Sequence, residues 1–578
     1  MPSKLLGLLA AVVQKGAPAS LQPWAASYFN EDAIGFSLVV SIIIVLLTYV
    51  FLFKILPGLR MDYYLSKFPT MTGKLPVLGH ALRLTGAAPW GKMMRWSFRP
   101  ELNAAKGKGG NRVVYFNVVG MRVLYINEPK LLRRVLLTHQ RNYRKAIDSA
   151  YKHFMCLLGT GLVTSEDEQW KKGRLLLSHA LRIDILEDIP LMTMNAVDRI
   201  MQKLDAVGGK ASFVDLNEEF RHMTLQVIGE SSLSLTPEET DRIFPALYLP
   251  IVHECNKRVW APWREFMPFL KGSRERNTCL VALNKVLGDI IVSRWKTKDA
   301  AMASGKPDIL ALCMSQISAI DDHVVQELRD DVKTMLLAGH ETSAALLTWA
   351  SYELVRRPEA RAKVVEEAKR LFDPKNCKET IETRYGKRGV PTADQVRQLV
   401  YTPAVLRETL RLHSVVPLVM RYAAKDDVWP ASESGLDRDL KVPAGCTVAV
   451  GIAGVHHNEN VWEDPEKFDP ERFVDADIAN NTNTLNSKVK HEYAKTIDPY
   501  AFIPFINGPR NCLGQHLSIM ETQVALAYLF LNWDLKLYRN PRTPETPNWE
   551  EEVGRHHDFI IPQVPHDGLK VFGSVNKI

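Results

Sequence analysis

Hydrophobic residues are most concentrated near the start of the chain. From Ala33 to Phe53 there are 21 residues without a charged side chain. A helix of that length, rising about 1.5 Å per residue, spans about 30 Å of bilayer hydrocarbon. The pattern therefore predicts one transmembrane helix over residues 33–53.

The sequence on either side of this segment predicts its orientation. Glu31 and Asp32 precede it, whereas Lys54 and further basic residues follow it. Because positively charged flanks stay on the cytoplasmic side, we expect the rest of the chain to be cytosolic. Residues 1–32 fit a leader, such as a cleaved signal or targeting peptide, and fit equally an amphipathic helix on the lumenal surface. Prolines and glycines over residues 54–74 predict a stiff linker instead of helix.

Beyond the linker, residues 75–578 follow mainly the hydrophobic period of helices. Convincing strand patterns are short, as in Val113–Phe116 and Cys446–Ile452. The longest predicted helix runs from about Asp322 to Arg357, because Pro358 forces the residue before it out of helical geometry. The body of the chain is therefore predicted to be mainly α with small β-sheets.

The middle of that long helix carries the sequence Ala338-Gly339-His340-Glu341-Thr342. Glycine weakens a helix by about 1 kcal/mol relative to alanine, so its presence here needs a reason. Ala338 and Thr342 are four residues apart and share one face, where a helix opened locally at Gly339 would admit a small ligand. The alternative is a core threonine whose hydroxyl bonds the preceding turn.

Two later patterns add to this motif. Glu408 and Arg411 are spaced to pair on one helix face, and a second arginine, Arg472, follows in an Asp-Pro-Glu-Arg-Phe sequence. The more specific pattern is Phe505–Gly514, in which glycines, an arginine and an aromatic residue surround Cys512. From the residue frequencies of this chain, such a match arises by chance in about one chain in ten thousand.

Composition excludes several classes of protein. The 578 residues are 46% hydrophobic and 24% charged, which argues against wholesale disorder and against a polytopic membrane protein. The length alone favours two domains. The net charge of +8 comes without any run of five basic residues, so nucleic acid is not an expected partner. The seven cysteines are scattered and never form C-x-x-C, which argues against a disulfide scaffold or zinc ribbon.

The three motifs, in this order, resemble those of the cytochrome P450 superfamily, the haem-thiolate monooxygenases. Trp170 and Arg174 add the W-x-x-x-R pattern of that family. The resemblance covers residues 75–578 and implies the cytochrome P450 fold, one mainly helical domain with small sheets behind one transmembrane helix. This implication replaces the expectation of two domains. The anchor and linker resemble those of the microsomal members.

The resemblance also implies roles for individual residues. Cys512 is expected to bind the iron of haem b, with Phe505 and Gly514 shaping the backbone around its sulfur. Thr342 and Glu341 are expected to deliver protons for cleavage of the O–O bond. The expected donors to the haem propionates are Trp170, Arg174, Arg421 and Arg510. The expected structural triad, which would fix the cysteine loop, is Glu408, Arg411 and Arg472.

The implied activity is insertion of one atom of O2 into a lipophilic substrate such as a sterol, carotenoid or fatty acid. Too few residues follow Gly514 for a flavin domain, so NADPH-derived electrons are expected through NADPH–cytochrome P450 reductase, with cytochrome b5 as a second candidate donor. The expected location is the endoplasmic reticulum membrane, with an organellar membrane as the alternative. A haem-thiolate isomerase or dehydratase and a non-catalytic, membrane-tethered haem-binding protein stay open as alternative functions.

Overall fold

The computed structural model describes most of the chain. The described residues are 41–49, 51–71, 73–75, 78–84, 92, 112–118, 120–148, 150–181, 187–207, 213–303, 305, 307–474, 498–538, 562–565 and 567–576. The chain divides into two compact units, Met1–Phe68 and Pro69–Ile578, which are taken in turn.

The first unit contains an apolar helix, Ser41–Leu65, none of whose most hydrophobic stretch is buried within the protein. Among the described residues it is the one helix long and apolar enough to cross a membrane. It includes the C-terminal part of the predicted span 33–53. Residues 33–40 of that span, and the whole leader 1–32, lie outside the described residues.

Helical structure also continues through Pro57 and Gly58, where the sequence analysis expected a linker to begin. The helix has a π-helical turn at Phe51–Ile55 and then an α-helical part, Leu56–Leu65. A proline inside a helix removes one hydrogen bond and its ring collides with the carbonyl four residues earlier. The wider π turn directly before Pro57 relieves this collision, so the helix need not end there.

The second unit is mostly helical. Its longer helices are α1 Lys152–Leu158, α2 Asp167–Ala180, α3 Ile189–Val207, α4 Leu216–Leu233, α5 Pro237–Trp260, α6 Lys271–Ala303, α7 Ile309–Ser315, α8 Asp322–Arg356, α9 Pro358–Leu371, α10 Tyr401–His413 and α11 Gln515–Asn532. Short helices are Ala81–Leu84, Pro129–Arg133, Ala393–Arg397, Ala431–Ser434 and Ile452–His456. Single turns of other helix types are Arg134–Thr138, Pro262–Phe266 and Pro470–Phe473.

The strands form small sheets, as the sequence predicts. They are β1 Val113–Val118, β2 Met121–Ile126, β3 Tyr143–Lys145, β4 Val214–Asp215, β5 Glu379–Thr383, β6 Gly386–Val390, β7 Leu418–Ala423, β8 Asp427–Trp429, β9 Leu440–Val442, β10 Thr447–Gly451, β11 Trp533–Leu537 and β12 Lys570–Val575. The largest sheet has the order β1-β2-β10-β7-β3, in which only the β2–β10 pairing is parallel. The others are β11-β12-β4, β5-β6 and β8-β9. The strands expected at Val113–Phe116 and Cys446–Ile452 are β1 and β10.

Helix α8 lies in the main hydrophobic core and is buried along most of its length. Its first turn is capped by Asp321, whose carboxylate accepts a hydrogen bond from the backbone N–H of Val324 at 2.8 Å. It ends at Arg356, one residue before the predicted end, because Pro358 follows.

The glycine in the middle of α8 is explained by close helix packing. A Cβ at Gly339 would lie 2.8 Å from the side chain of Ile228 on α4, closer than non-bonded carbon atoms approach. Helix α8 is regular α-helix from end to end. The expectation of a local opening at Gly339 is therefore wrong, and the glycine instead makes room for the neighbouring helix.

Candidate functional site

The Phe505–Gly514 segment folds into a tight turn directly before α11. The backbone N–H of Cys512 donates to the carbonyl of Phe505 at 2.9 Å, and that of Asn511 donates to Gly508 at 3.1 Å. Gly508 has a φ of +88°, and a Cβ there would lie 2.2 Å from the carbonyl oxygen of Leu136. Only glycine fits both constraints, so this residue fixes the shape of the turn.

The sulfur of Cys512 lies at the N-terminal end of α11. Its side chain is accessible to solvent, yet protein surrounds it closely enough that burial raises the pKa of the thiol. The backbone N–H groups of Gly514 and Gln515 and the positive charge of Arg174 act in the opposite direction and favour the thiolate. A Cβ on Gly514 would touch nothing, so what this residue supplies here is its backbone amide. The half-buried ring of Phe505 packs against the main core.

Two arginines and a tryptophan lie around the cysteine turn. Arg174, on α2, donates to the carbonyl of Asn511 at 2.6 Å. Arg510 donates to the carbonyl of Ser165 at 2.9 Å, and its guanidinium lies 4.0 Å from the ring centre of Trp170. Three of the predicted propionate donors are thus brought together beside Cys512.

The fourth predicted donor, Arg421, comes with a cation that the sequence analysis missed. Arg421 lies on β7 directly opposite Lys145 on β3, and its guanidinium donates to the carbonyl of Met420 at 2.9 Å. Burial, with the charges of Arg421 and Arg510 nearby, holds the pKa of the Lys145 amine well below its ordinary value. Nothing in the local sequence distinguishes Lys145; only the pairing of two distant strands brings it here.

Lys145, Arg174, Arg421 and Arg510 form a cluster of cations. The charge of this cluster shows whether the residues present fit haem. Glu166 contacts Arg510 at 3.3 Å but also pairs with Arg144 at 2.9 Å, so it cannot neutralise the whole cluster. Partly buried cations without enough carboxylates favour a ligand that brings its own negative charge. These residues therefore fit haem: Cys512 would hold its iron, and the four cations would hold its propionates.

The two predicted proton donors on α8, Thr342 and Glu341, lie on different faces of the helix. Thr342 is half-buried on the same face as the exposed Ala338, and its hydroxyl donates to the Ala338 carbonyl at 2.7 Å. That bond is the one expected of an ordinary helical threonine, but the residue is not enclosed in the core. Glu341 is buried on another face of the helix. The hydroxyl of Ser343 lies 2.9 Å from that of Ser518 on α11, which joins this turn of α8 to the helix that follows Cys512.

Glu341 is contacted by two residues to which the sequence assigns no role. Its Oε1 lies 2.6 Å from the guanidinium of Arg221 on α4 and 3.3 Å from Nε2 of His340. Burial alone would raise the pKa of Glu341, but the charges of His340 and Arg221 outweigh it and lower the pKa to about 2. Arg221 lies 120 residues away in sequence, so no local pattern could identify it.

The three residues of the predicted triad lie together, but the two arginines bind Glu408 unequally. Arg411 and Glu408 are fully buried and form a bidentate pair, with bonds of 2.8 Å and 2.7 Å. Arg472 is 3.5 Å from the same carboxylate and donates mainly to the carbonyl of Asp464 at 3.1 Å. Burial raises the pKa of Glu408 and the Arg411 charge opposes this.

A path of hydrogen bonds connects the triad with the cysteine turn through His456. Arg411 donates to the carbonyl of His456 at 3.0 Å, and the ring Nε2 of His456 accepts from the backbone N–H of Ile503 at 3.0 Å. The carbonyl of Ile503 in turn accepts from Ile506 at 3.0 Å, inside the turn. Burial lowers the pKa of His456 to about 3, so its ring stays neutral and keeps this acceptor.

Substitution of Arg411 by alanine is expected to destabilise the fold strongly. The change leaves the buried Glu408 carboxylate without its main partner and removes the donor to three backbone carbonyls. Breaking a buried ion pair from one side costs about 3–5 kcal/mol. The measurement is thermal unfolding of the haem-loaded protein, together with its haem content.

The matched control is Lys363→Ala, which breaks an exposed ion pair with Glu471 in the same region. Pairs of this kind contribute about 0–1 kcal/mol, so this variant should unfold near the wild-type temperature. Equal losses for the two variants would mean that the buried triad has no special structural role.

The amino-acid sequence of this chain is similar to those of known proteins. The family model for cytochrome P450 matches residues 69–562. Protein LUTEIN DEFICIENT 5 of Arabidopsis thaliana is 27% identical over 436 residues, which are 72% of this chain and 65% of that protein. Cytokinin hydroxylase of Arabidopsis thaliana is 27% identical, over 77% of this chain and 79% of the relative. Carotene epsilon-monooxygenase of the same plant is 25% identical, over 71% and 72%.

The fold is also similar to that of a solved structure. A crystal structure of the cytochrome P450DA heme domain covers 88% of this chain and 97% of its own, with a TM-score of 0.66 and 20% sequence identity. That identity speaks for the fold alone. The match of the family model over most of the second unit, together with a relative named as a monooxygenase, shows that the chain belongs to the cytochrome P450 superfamily and is a monooxygenase of that family.

Proposed function

We propose that this cytochrome P450 is a membrane-anchored monooxygenase that inserts one oxygen atom into a lipophilic substrate, using electrons that originate from NADPH. The observation that carries the proposal is the Cys512 sulfur at the start of α11, beside a cluster of four cations. Haem b, when bound, supplies the reductive activation of O2. Cys512 would ligate its iron, and Trp170, Arg174, Arg421, Arg510 and Lys145 would hold its propionates.

The remaining residues set the charge on the Cys512 sulfur and supply protons to the active site. The backbone amides of Gly514 and Gln515 stabilise negative charge on Cys512. The carbonyl of Phe505 accepts a hydrogen bond from the backbone N–H of Cys512 and so helps to hold the turn. Thr342 holds a proton at Oγ1 and keeps free lone pairs for a second hydrogen bond. Glu341 is ionised, and the Arg221 guanidinium beside it is partly exposed to solvent. A proton reaches Glu341 from solvent when this ion pair opens.

Two observations support a lipophilic substrate. The apolar helix Ser41–Leu65 would hold the enzyme at a bilayer, where hydrophobic molecules concentrate. One of the relatives is named for its action on carotene. Sterols, carotenoids and fatty acids are the proposed classes. Spectral titration of the purified protein with a panel of these lipids would identify the class by the ligand that perturbs the haem absorption.

The proposed electron donor is NADPH–cytochrome P450 reductase, with cytochrome b5 as a second candidate. The experiment that tests the activity supplies reductase, NADPH and O2 together and then omits each in turn. Oxygenated product must depend on all three. Product without O2 would instead indicate a haem-thiolate isomerase or dehydratase, and a ligand-binding spectrum without any turnover would indicate a non-catalytic haem-binding protein.

A topology experiment tests the proposed location, a single-pass protein of the endoplasmic reticulum membrane with its catalytic domain in the cytosol. Protease added outside intact microsomes should digest the chain after Lys54, because the basic residues that follow the span keep this side cytoplasmic. Immunoblotting against the C-terminus measures the loss. Protection of the body in intact microsomes would contradict the orientation, and recovery with an organelle fraction instead would favour the organellar alternative.

A further inference from the structure

Two cysteines outside the proposed haem site lie in direct contact. Cys156 is on α1 and Cys255 is on α5, 99 residues apart in sequence, and their sulfur atoms are 2.8 Å apart. Neither takes part in the mechanism described above. A disulfide bond is about 2.05 Å long, so the two sulfurs need to approach by less than about 1 Å to be joined.

The surroundings of the pair give the two thiols different reactivity. Cys156 is partly exposed, whereas Cys255 is fully buried. The pKa of Cys156 is lowered by a hydrogen bond from the Cys255 thiol and by the guanidinium groups of Arg276 and Arg258, while that of Cys255 is raised. A thiolate near arginines and within reach of solvent is the attacking partner in disulfide exchange, and its buried neighbour is the resolving one.

The pair joins two segments that both lead to the proposed active site. On α5, the ring of Tyr248 packs edge-on against His340, at 5.6 Å between ring centres, in the same turn of α8 as Glu341. On the other side, α1 is followed by the stretch that ends at Ser165, whose carbonyl binds Arg510. An exposed ion pair also joins Lys152, on α1, to Glu265 in the turn Pro262–Phe266 that follows α5. A covalent bond between the sulfurs would be a far stronger connection than that ion pair.

We propose that Cys156 and Cys255 are a thiol-modification site that forms a reversible disulfide and so locks α1 to α5. The Cys156 thiolate attacks a small disulfide such as glutathione disulfide, whose S–S bond breaks and releases one glutathione. The Cys255 thiol then attacks the mixed disulfide, loses its proton and releases the second glutathione. The two cysteines lose two electrons and two protons, which leave in the two glutathione molecules. Excess glutathione reverses the reaction.

The test uses the full-length, haem-loaded protein in membranes, equilibrated in buffers from reduced to oxidised glutathione. Free thiols are then alkylated under denaturing conditions and counted. They should fall from the seven of the sequence to five, a loss of two, and mass spectrometry should recover the peptides of residues 156 and 255 joined. Amide hydrogen exchange in α1 and α5 should slow on oxidation, because the link restrains local opening.

Serine variants separate the proposal from its alternatives. Cys255→Ser should stop the reaction at glutathione bound to Cys156, and Cys156→Ser should prevent both products. The control Cys279→Ser, which removes another partly exposed thiol, should leave the link intact. Retention of all seven thiols in oxidising buffer, or a wild-type protein that carries glutathione on Cys156 with Cys255 free, would overturn the proposal. An unchanged haem spectrum in each variant shows that the variant is folded.

Discussion

Replacement of Cys512 by serine is expected to abolish the red-shifted absorption of the ferrous–CO complex. The spectral shift requires a thiolate that donates electrons to the iron, and a serine hydroxyl is far harder to ionise than a thiol. The surrounding turn should survive, because its hydrogen bond from residue 512 to the Phe505 carbonyl is made by the backbone. The measurement is the reduced CO difference spectrum, with monooxygenase activity expected to fall below detection.

A matched control for this prediction is Cys377→Ser. Cys377 is also a free cysteine, but it lies beside the β5–β6 hairpin, away from the cysteine turn. This variant should keep the thiolate spectrum and its activity. If Cys512→Ser retained the spectrum, the iron ligand would have to be another residue, and the proposed function would lose its main support.

The second large effect is expected at Thr342. Thr342→Ala should leave haem content and substrate affinity close to wild type, because the side chain is small and not enclosed in the core. Without the hydroxyl, proton delivery should fail and reduced oxygen should leave as hydrogen peroxide. NADPH consumption would then continue while product formation falls by about 10²–10⁴-fold, the usual contribution of a general acid. The measurement is the ratio of product to NADPH consumed, with hydrogen peroxide quantified in parallel.

Thr348 provides a close control on the same helix. Its hydroxyl bonds the carbonyl of Ala344 at 2.7 Å, the same distance that Thr342 makes to Ala338, but Thr348 is fully buried. Thr348→Ala should therefore cost some stability and stay coupled. A fully coupled Thr342→Ala enzyme would mean that the Ala338 hydrogen bond is the whole role of this residue.

The parts of the fold that local sequence dictates were predictable. Helix α8 begins at an aspartate cap and ends before Pro358, so both ends follow from neighbouring residues. The cysteine turn was predictable because its glycines and backbone bonds all lie within ten residues. Glu408 and Arg411 were predictable for the same reason, since a spacing of three places them on one helix face.

Most of the partners that the sequence does not reveal are set by contacts between distant segments. Arg221 reaches Glu341 only because α4 packs closely against α8 at Gly339, whereas His340 is the sequence neighbour of Glu341. Lys145 joins Arg421 only because β3 pairs with β7, 276 positions later in the register of that residue pair. Composition and residue spacing do not predict such pairings. The expected opening of the helix at Gly339 was wrong because this glycine instead allows α4 to pack closely against α8.

The crowding of Lys145, Arg421 and Arg510 has a consequence for how the protein matures in the cell. A newly made chain must gather these like charges before any ligand offsets them, so this region should fold last and open most readily. A ligand that binds only the folded chain stabilises it by about 2.7 kcal/mol at a hundredfold excess over its Kd. Cells starved of haem should therefore degrade most of this protein soon after synthesis, and its abundance should follow haem supply instead of transcript level.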